Sequence, residues 1–148
     1  FKNSELKKKI KFDLKNITSS RIKFNLPTIM GILNMTPDSF SDGGIYNKTN
    51  KAFKKIEQMI KGGSQIIDIG GESTRPGSKI VRTKKEWDRI KKVVKNFKIK
   101  YPKTLLSVDT RKSEIMFNSI KFKTDIINDV SSFDFDKNSS KTVEKKNV

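Results

Sequence analysis

The sequence lacks two residue types that carry much of enzyme chemistry: none of its 148 residues is a cysteine or a histidine. Without cysteine, the sequence has no disulfide bond, no thiolate zinc site and no thiol nucleophile. Without histidine, it has neither a Ser-His catalytic pair nor an imidazole ligand for a metal. Covalent catalysis of these kinds is therefore excluded for this sequence.

Long apolar runs are also absent. No stretch approaches the roughly 18 apolar residues needed to span a bilayer. The lysine-rich segment 1–14 has no uninterrupted apolar core and includes Glu5 and Asp13. This composition matches neither a signal peptide nor a transit peptide. The expectation is a cytoplasmic protein with no membrane partner.

Acidic residues are few: 16 Asp and Glu against 33 Lys and Arg give a net charge of +17. Such a charge is typical of nucleic-acid-binding proteins. However, 28 of the 33 basic residues are lysines spread along the chain, and Ala52 is the only alanine, a pattern that A/T-rich codon usage produces. Proteins that read nucleic acids usually cluster arginines and interleave aromatic residues. We therefore favour a solvated lysine surface, and a nucleic-acid binder is the weaker alternative, testable by salt-dependent duplex binding.

Short apolar runs recur in the second part of the sequence. They are β-branched or leucine-rich and do not alternate cleanly with polar residues, as expected for strands buried on both faces of a parallel sheet. Four such strands are predicted, at residues 29–33, 66–69, 105–108 and 126–127. Further upstream, two similar pentapeptides within residues 10–26 alternate with period two and predict an antiparallel hairpin.

Helical patterns fill the intervals between the four strands. The first helix has an apolar stripe over residues 52–60 and ends at Gly62-Gly63. The second has a stripe over residues 87–97 and opens with Thr-Lys-Lys-Glu at 83–86, the sequence of a capping box. Ser113 is the predicted cap of the third. The resulting order of hairpin, β, α, β, α, β, α, β indicates an α/β fold.

Each predicted strand has a short polar residue at its carboxyl end: Asn34, Asp68, Asp109 and Asn128. Ligands of parallel α/β sheets and barrels bind beyond the carboxyl ends of the strands. One such residue is more often a loop cap, but four together favour a binding site. Asp109 and Asn128 suit the edge of a flat heterocycle, because buried polar edges must be paired. Asn34 is a neutral oxygen ligand that suits Mg²⁺ carrying waters and a substrate phosphate.

Two long loops, at residues 35–50 and 71–82, leave the same end of the predicted sheet. Both exceed the usual two to six residues of such loops and are rich in Gly, Ser, Thr, Asp and Pro. Long loops at this edge commonly act as lids. In the second loop, Ser73, Thr74 and Arg75 combine two hydroxyls with a guanidinium and can bind phosphate. Phosphate ligands beside a heterocycle site predict a transfer reaction in which diphosphate leaves.

At these residues the sequence resembles the dihydropteroate synthase family. Residues 31–44, GILNMTPDSFSDGG, resemble the first signature of that family, and residues 66–78, IIDIGGESTRPGS, resemble the second. The segments LSVDT and IINDV, which include the third and fourth strands, are similar to later motifs in order and spacing. The resemblance covers residues 27–132, and the two long signatures are highly specific. The related corrinoid methyltransferases share the barrel but lack these loop signatures, so we rank them low.

The resemblance implies both a fold and a reaction. The implied fold is a TIM barrel, and the implied reaction joins 6-hydroxymethyl-7,8-dihydropterin diphosphate to p-aminobenzoate with release of diphosphate, a step of folate biosynthesis. The implied mechanism is of the S_N1 type. Diphosphate departs with metal and cationic help, the pterin methylene becomes a stabilised cation, and the aniline nitrogen attacks it. This mechanism relies on electrostatic stabilisation rather than on a covalent enzyme intermediate.

The resemblance also implies roles for individual residues. Asn34 would hold the Mg²⁺-diphosphate, and Asp109 and Asn128 would hydrogen-bond the pterin ring. Residues of the two loops would complete the site, with Thr74 and Arg75 on the phosphates and Phe40, Asp42 and Pro76 on the p-aminobenzoate side. Among all of these, Asp42 and Arg75 are the predicted catalytic residues.

Only part of such a barrel is predicted from this sequence. A (β/α)8 barrel takes roughly 200–250 residues and eight strands, whereas here about four βα units precede a polar segment, 133–148, that we predict to be a disordered tail. We divide the chain into an N-terminal segment with the hairpin (1–26), a half-barrel (27–132) and that tail. The expectation is a truncated or split synthase that is competent only with a complementary C-terminal half. The expected protein partner is that half or a second copy of the chain in a homodimer. A pterin-binding remnant without catalysis is the alternative.

Overall fold

The structure is a computed structural model that describes residues 27–36, 45–73 and 77–144. The predicted hairpin within residues 10–26 lies outside the described residues. Strands and helices alternate along the chain, and their bounds are β1 (Met30–Asn34), α1 (Ile45–Lys61), β2 (Ile66–Gly70), α2 (Thr83–Lys100), β3 (Leu105–Asp109), α3 (Ser113–Ile120), β4 (Ile126–Asn128) and α4 (Ser139–Glu144). The four predicted strands are confirmed to within one residue at each end. Within the described ranges, no helix has the length and apolar character needed to cross a bilayer.

The four strands form one parallel sheet in chain order, β1-β2-β3-β4. The register pairs Asn34 with Gly70, Gly70 with Asp109, and Asp109 with Asn128. The last residues of the four strands therefore lie in a single row at the carboxyl edge, which we call the edge row. Because side chains alternate between the faces of a sheet, the edge row shares its face with the row two residues earlier: Ile32, Asp68, Ser107 and Ile126.

The helices cover the opposite face of the sheet and form the core with it. Gly31 leaves room for α1 to pack against β1, since a Cβ added there would be 2.7 Å from the sulfur of Met59. The predicted apolar stripes of the first two helices are buried against this face. The core includes, from the strands, Leu33, Ile67, Ile69, Leu106 and Val108, and from the helices, Ala52, Ile56, Ile90, Val93, Val94 and Phe97.

The face that carries the edge row is only partly covered. Ile32 is 60 % exposed and Met30 is 39 % exposed on β1, whereas Asp68 on the neighbouring strand is 3 % exposed. In a (β/α)8 barrel this face is the interior surface, which is filled by the side chains of all the strands. The apolar residues of β1 on this face therefore form a surface that further strands of such a barrel would cover.

The capping box predicted for α2 is wrong. Thr83 is the first residue of the helix, Arg82 is its N-cap, and no side-chain hydrogen bond caps it. Glu86, the predicted second member of the box, is fully buried and accepts hydrogen bonds from Thr110 and Lys112. Glu86 therefore binds residues that are distant in the sequence and does not cap the start of its own helix.

The segment after β4 folds back onto α3, although we predicted a disordered tail over residues 133–148. Through residue 144 the structure describes turns and the short helix α4, which packs against α3. Asp136 Oδ2 accepts a hydrogen bond of 2.9 Å from the Ser113 backbone N–H. Asp136 thus caps α3, and the prediction of Ser113 as the cap is wrong. The Arg111 guanidinium also lies 4.3 Å from the centre of the Phe135 ring.

A buried lysine joins the loop after β2 to the helices α2 and α3. Lys112 Nζ donates hydrogen bonds to carboxylate oxygens of Glu72 and Glu86. Thr110 Oγ1 donates to Glu86 at 2.7 Å, and the Val81 backbone N–H donates to Glu72 at 2.9 Å. Burial raises the pKa of Glu86 despite the bonds from Lys112 and Thr110. Burial acts the same way on Glu72, but its hydrogen bonds and nearby cations outweigh burial and lower its pKa.

We predict that Lys112→Met strongly destabilises the fold. The substitution leaves two buried carboxylates without the cation between them, and breaking a buried ion pair in this way costs about 3–5 kcal/mol. The free energy of unfolding, measured by urea denaturation followed by circular dichroism, should fall by that amount.

Lys91→Met is the matched control for this measurement. Lys91 pairs with Asp88 on the surface of α2, where the two side chains are 39 % and 46 % exposed, and such pairs contribute at most about 1 kcal/mol. Equal losses of stability in the two variants would contradict the assignment of a structural role to the buried lysine.

Candidate active site

The structure brings three predicted site residues together in the edge row. Asn34, Asp109 and Asn128 end their strands in register, and Gly70 ends β2 between the first two. A Cβ added to Gly70 would lie 3.3 Å from Asp109 Oδ2 and 3.4 Å from Asn34 Oδ1. Oxygens of these two side chains therefore border the space that a side chain at position 70 would occupy. The missing side chain leaves a surface of polar oxygens above the backbone of β2.

Asp68 is not at the carboxyl edge, where we predicted it. It is the middle residue of β2, because the strand continues to Gly70. Its carboxylate lies below the edge row and accepts a hydrogen bond of 3.0 Å from Asn128 Nδ2. Its second oxygen, Oδ1, and the neighbouring Ser107 Oγ are both buried and have no hydrogen-bond partner among the described residues.

Asp109 is the ionisable residue of the edge row, and its pKa is raised. Burial, which is the largest cause, and repulsion from Asp68, Glu86 and Asp129 together raise its pKa from 3.8 to about 6. The Arg111 guanidinium opposes the rise but is the smallest contribution. At neutral pH Asp109 is a carboxylate in a strongly acidic environment, which is suited to accept hydrogen bonds from N–H donors of a ligand.

The second long loop is held closed at its base. Glu72 near its start accepts the hydrogen bond from Val81, nine residues later. Arg89 of α2 donates a hydrogen bond of 2.5 Å to the Gly71 carbonyl oxygen at the same place. The loop therefore leaves the carboxyl edge of the sheet from a fixed base.

The predicted phosphate-binding set begins just beyond this base. Ser73 is half-buried, and its backbone oxygen accepts a hydrogen bond of 2.5 Å from Ser78 Oγ. The other predicted residues of the two loops lie outside the described residues: Phe40, Asp42, Thr74, Arg75 and Pro76.

Sequence analysis named Asp68 among the polar residues at the strand ends, and it is the only charged residue in the apolar run 66–69. It missed two other residues that hold this site in place, Glu72 and Lys112. Glu72 lies inside the second signature, but nothing in that motif indicates that its carboxylate is buried. Lys112 gave no signal at all, since it is one of 28 lysines and nothing local distinguishes it.

The polar residues of the edge fit a magnesium ion only in the company of a phosphate ligand. Asn34 is exposed and offers one neutral oxygen. In the described ranges, no group of three or more His, Cys, Asp or Glu side chains is arranged to hold a metal. Mg²⁺ commonly takes one or two protein oxygens and completes its octahedron with waters and substrate phosphates. The donor set therefore suits a Mg²⁺-diphosphate rather than a metal held by protein alone.

Comparison with known proteins gives consistent matches. A relative, the dihydropteroate synthase of Streptococcus pyogenes, is 49 % identical over 102 residues, which are 69 % of this chain and 38 % of the relative. Two solved dihydropteroate synthases are similar in structure. One, from Clostridium difficile in the presence of pteroic acid, has a TM-score of 0.76 and 40 % identity, and the match covers 80 % of this chain and 45 % of that one. The other, from Xanthomonas albilineans with 4-aminobenzoic acid, has a TM-score of 0.75 and 36 % identity over 81 % and 43 % of the two chains.

These matches identify the four βα units as part of a TIM barrel, as predicted. The chain spans less than half the length of the relatives it matches. A family model described as pterin binding enzyme matches residues 30–148, which is most of the sequence. The chain belongs to the pterin-binding enzyme family.

Proposed function

We propose that the chain supplies the pterin and diphosphate subsites of a dihydropteroate synthase. This transferase of folate biosynthesis joins 6-hydroxymethyl-7,8-dihydropterin diphosphate to p-aminobenzoate and releases diphosphate. The observation that carries the proposal is the edge row, in which Asn34, Asp109 and Asn128 meet around Gly70. The ligands of the two solved relatives agree with it, because pteroic acid contains a pterin joined to p-aminobenzoate.

The pterin ring is the ligand that Asp109 and Asn128 fit in this proposal. A pterin has N–H donors on one edge, and Asp109 offers a carboxylate in surroundings that already carry three other acidic groups. Donors from the ring would offset this repulsion, which favours a ligand rich in N–H groups over one rich in carbonyls. Gly70 leaves the backbone free for close approach of a flat ring.

The diphosphate would lie between Asn34 and the second loop. Asn34 would hold the Mg²⁺, which when bound neutralises negative charge on the departing diphosphate. Thr74 and Arg75 would contact the phosphate oxygens, and Ser73 lies where the loop leaves its fixed base. Phe40, Asp42 and Pro76 would close over the p-aminobenzoate, with Asp42 and Arg75 as the catalytic residues.

The proposed reaction needs no nucleophile from the protein. The bond between the pterin methylene carbon and the diphosphate oxygen breaks, and its electron pair leaves with the diphosphate. The positive charge on the methylene spreads into the ring. The amine of p-aminobenzoate then forms the new C–N bond and loses one proton to solvent. The chain's own residues orient the ring and the leaving group, which is a contribution of positioning and electrostatics.

We also propose that catalysis requires further barrel units. The apolar face carrying Ile32 and Met30 is partly uncovered in the described structure, and the chain matches only 38 % of the length of the Streptococcus pyogenes relative. A complementary C-terminal half, or a second copy of the chain, would supply these units. The same two observations favour the second candidate, a pterin-binding protein without catalysis.

Because a diphosphate ester does not cross membranes unaided, we propose the cytoplasm as the location of the protein.

The requirement for a complement predicts a specific pattern of activity. The 148-residue chain alone should form no dihydropteroate from the two substrates. Addition of the separately produced C-terminal half of the Streptococcus pyogenes enzyme should restore formation, measured by chromatography of the product. The same mixture with Asp109→Ala is the control and should stay inactive.

Robust turnover by the chain alone would contradict the requirement. Binding of the pterin diphosphate without turnover in either mixture would instead favour the second candidate.

The raised pKa of Asp109 predicts that Asp109→Asn stabilises the chain at pH 7. The folded chain binds the Asp109 proton more tightly than the unfolded chain, so this group lowers stability as pH rises from about 4 to about 6. The rise in pKa from 3.8 to about 6 sets an upper limit near 3 kcal/mol, and screening by solvent at this partly exposed side chain reduces the expected gain to about 1–2 kcal/mol.

Urea denaturation at pH 7 and pH 3.5 tests this prediction. The stability gain of the variant should be present at pH 7 and absent at pH 3.5, where the wild-type carboxyl is protonated. In the same variant at pH 7, affinity for 6-hydroxymethylpterin should fall about tenfold or more, because a charged acceptor is lost. A variant with unchanged stability at both pH values would disprove the electrostatic account of Asp109.

A further inference from the structure

A part-buried hydrogen bond to Asp68 determines which way the Asn128 amide faces. Asn128 Nδ2 lies 3.0 Å from Asp68 Oδ2. A carboxylate oxygen accepts hydrogen bonds and does not donate them, so the amide must turn its nitrogen, and not its oxygen, towards Asp68. The two ends of an asparagine amide are nearly alike in shape, and only their partners distinguish them. Here the partner is a single buried carboxylate.

The consequence is a fixed acceptor at the edge row. With its nitrogen held below by Asp68, Asn128 turns its carbonyl oxygen away from Asp68 at the exposed end of β4. Asp109 is the neighbour of Asn128 in the register and also presents oxygens. The two neighbouring side chains therefore offer hydrogen-bond acceptors side by side. Without the bond to Asp68, the Asn128 amide could rotate and offer a donor in place of the acceptor.

Core packing alone does not account for Asp68. It is 3 % exposed, lies in the middle of an apolar strand, and has one hydrogen-bond donor among the described residues. A buried carboxylate with so few partners costs free energy relative to an apolar residue. Its one described partner is the side chain that ends β4 in the edge row.

We propose that Asp68 is a positioning residue that acts through Asn128. By holding the amide, it makes the paired acceptors of Asn128 and Asp109 selective for an edge with adjacent N–H donors. The 2-amino group and ring N–H of a pterin form such an edge, whereas the 2-oxo counterpart places a carbonyl where the amino group stood. That the ligand is a pterin rests on the proposed function. The role of Asp68 adds to that function a specificity for the 2-amino edge of the ring.

Asp68→Ala and Ser107→Ala test the orientation of the amide without any ligand. Ser107 is the matched control, because it pairs with Asp68 in the register, is fully buried, and likewise has a polar atom without a described partner. The Asn128 side-chain amide is observed by ¹⁵N–¹H NMR and assigned with Asn128→Asp. In the wild-type chain and in Ser107→Ala, one amide proton should be shifted downfield and exchange slowly. In Asp68→Ala both properties should be lost.

Selectivity is then measured as the ratio of dissociation constants for 6-hydroxymethylpterin and its 2-oxo counterpart. The wild-type chain and Ser107→Ala should prefer the pterin about tenfold, as expected for one hydrogen bond gained and one repulsion avoided. Asp68→Ala should reduce the ratio to near one. Asp68→Asn keeps the shape but permits both amide orientations, so it should give an intermediate ratio and serves if the alanine variant does not fold.

The outcomes separate the two proposals. An unchanged ratio in the folded Asp68 variants, or a downfield amide proton that persists in Asp68→Ala, would overturn the role of Asp68 while leaving the proposed function intact. Failure of the wild-type chain to bind either pteridine would overturn the proposed function, and the specificity inference with it.

Discussion

The parallel register of the four strands is the constraint on which the candidate site depends. Residues that are far apart in sequence, from Asn34 to Asn128, become neighbours only because each strand pairs with the next without a shift. A shift by one residue would turn the last side chain of a strand towards the helices. It would also expose the apolar side chains of the other face, such as Leu33 and Val108, which are fully buried against the helices. Core packing on one face therefore sets the geometry of the polar face.

The polar face contains more negative charge than the fold requires. Asp68 and Asp109 lie on adjacent strands, and Glu86 and Asp129 are near enough to raise the pKa of Asp109 further. Elsewhere the chain neutralises buried acids, as Lys112 does for two glutamates. The two aspartates of the polar face, Asp68 and Asp109, have no such lysine among the described ion pairs. A site that is unfavourable when empty and favourable with N–H donors in place is one in which ligand binding and folding are thermodynamically linked.

The sequence was informative where structure follows from local pattern. The apolar runs predicted the strands, the stripes predicted the first two helices, and strand ends with polar residues indicated Asn34, Asp109 and Asn128 as site residues. Prediction failed where the decisive partner is distant. Glu86 has the spacing of a helix cap, but a buried lysine 26 residues away binds it instead. The segment after β4 has no clear periodicity, yet Asp136 caps a helix that begins 23 residues earlier. Nothing local in these residues indicates the tertiary partner.

The strand order has a consequence for how this polypeptide assembles on the ribosome. In the described sheet, each of β2, β3 and β4 pairs with the strand synthesised just before it, and no later segment is inserted between two of these strands. Each βα unit can therefore dock on an edge that already exists, which keeps loop closure short and favours folding during translation. Growth of the described sheet then proceeds in one direction, from β1 to β4.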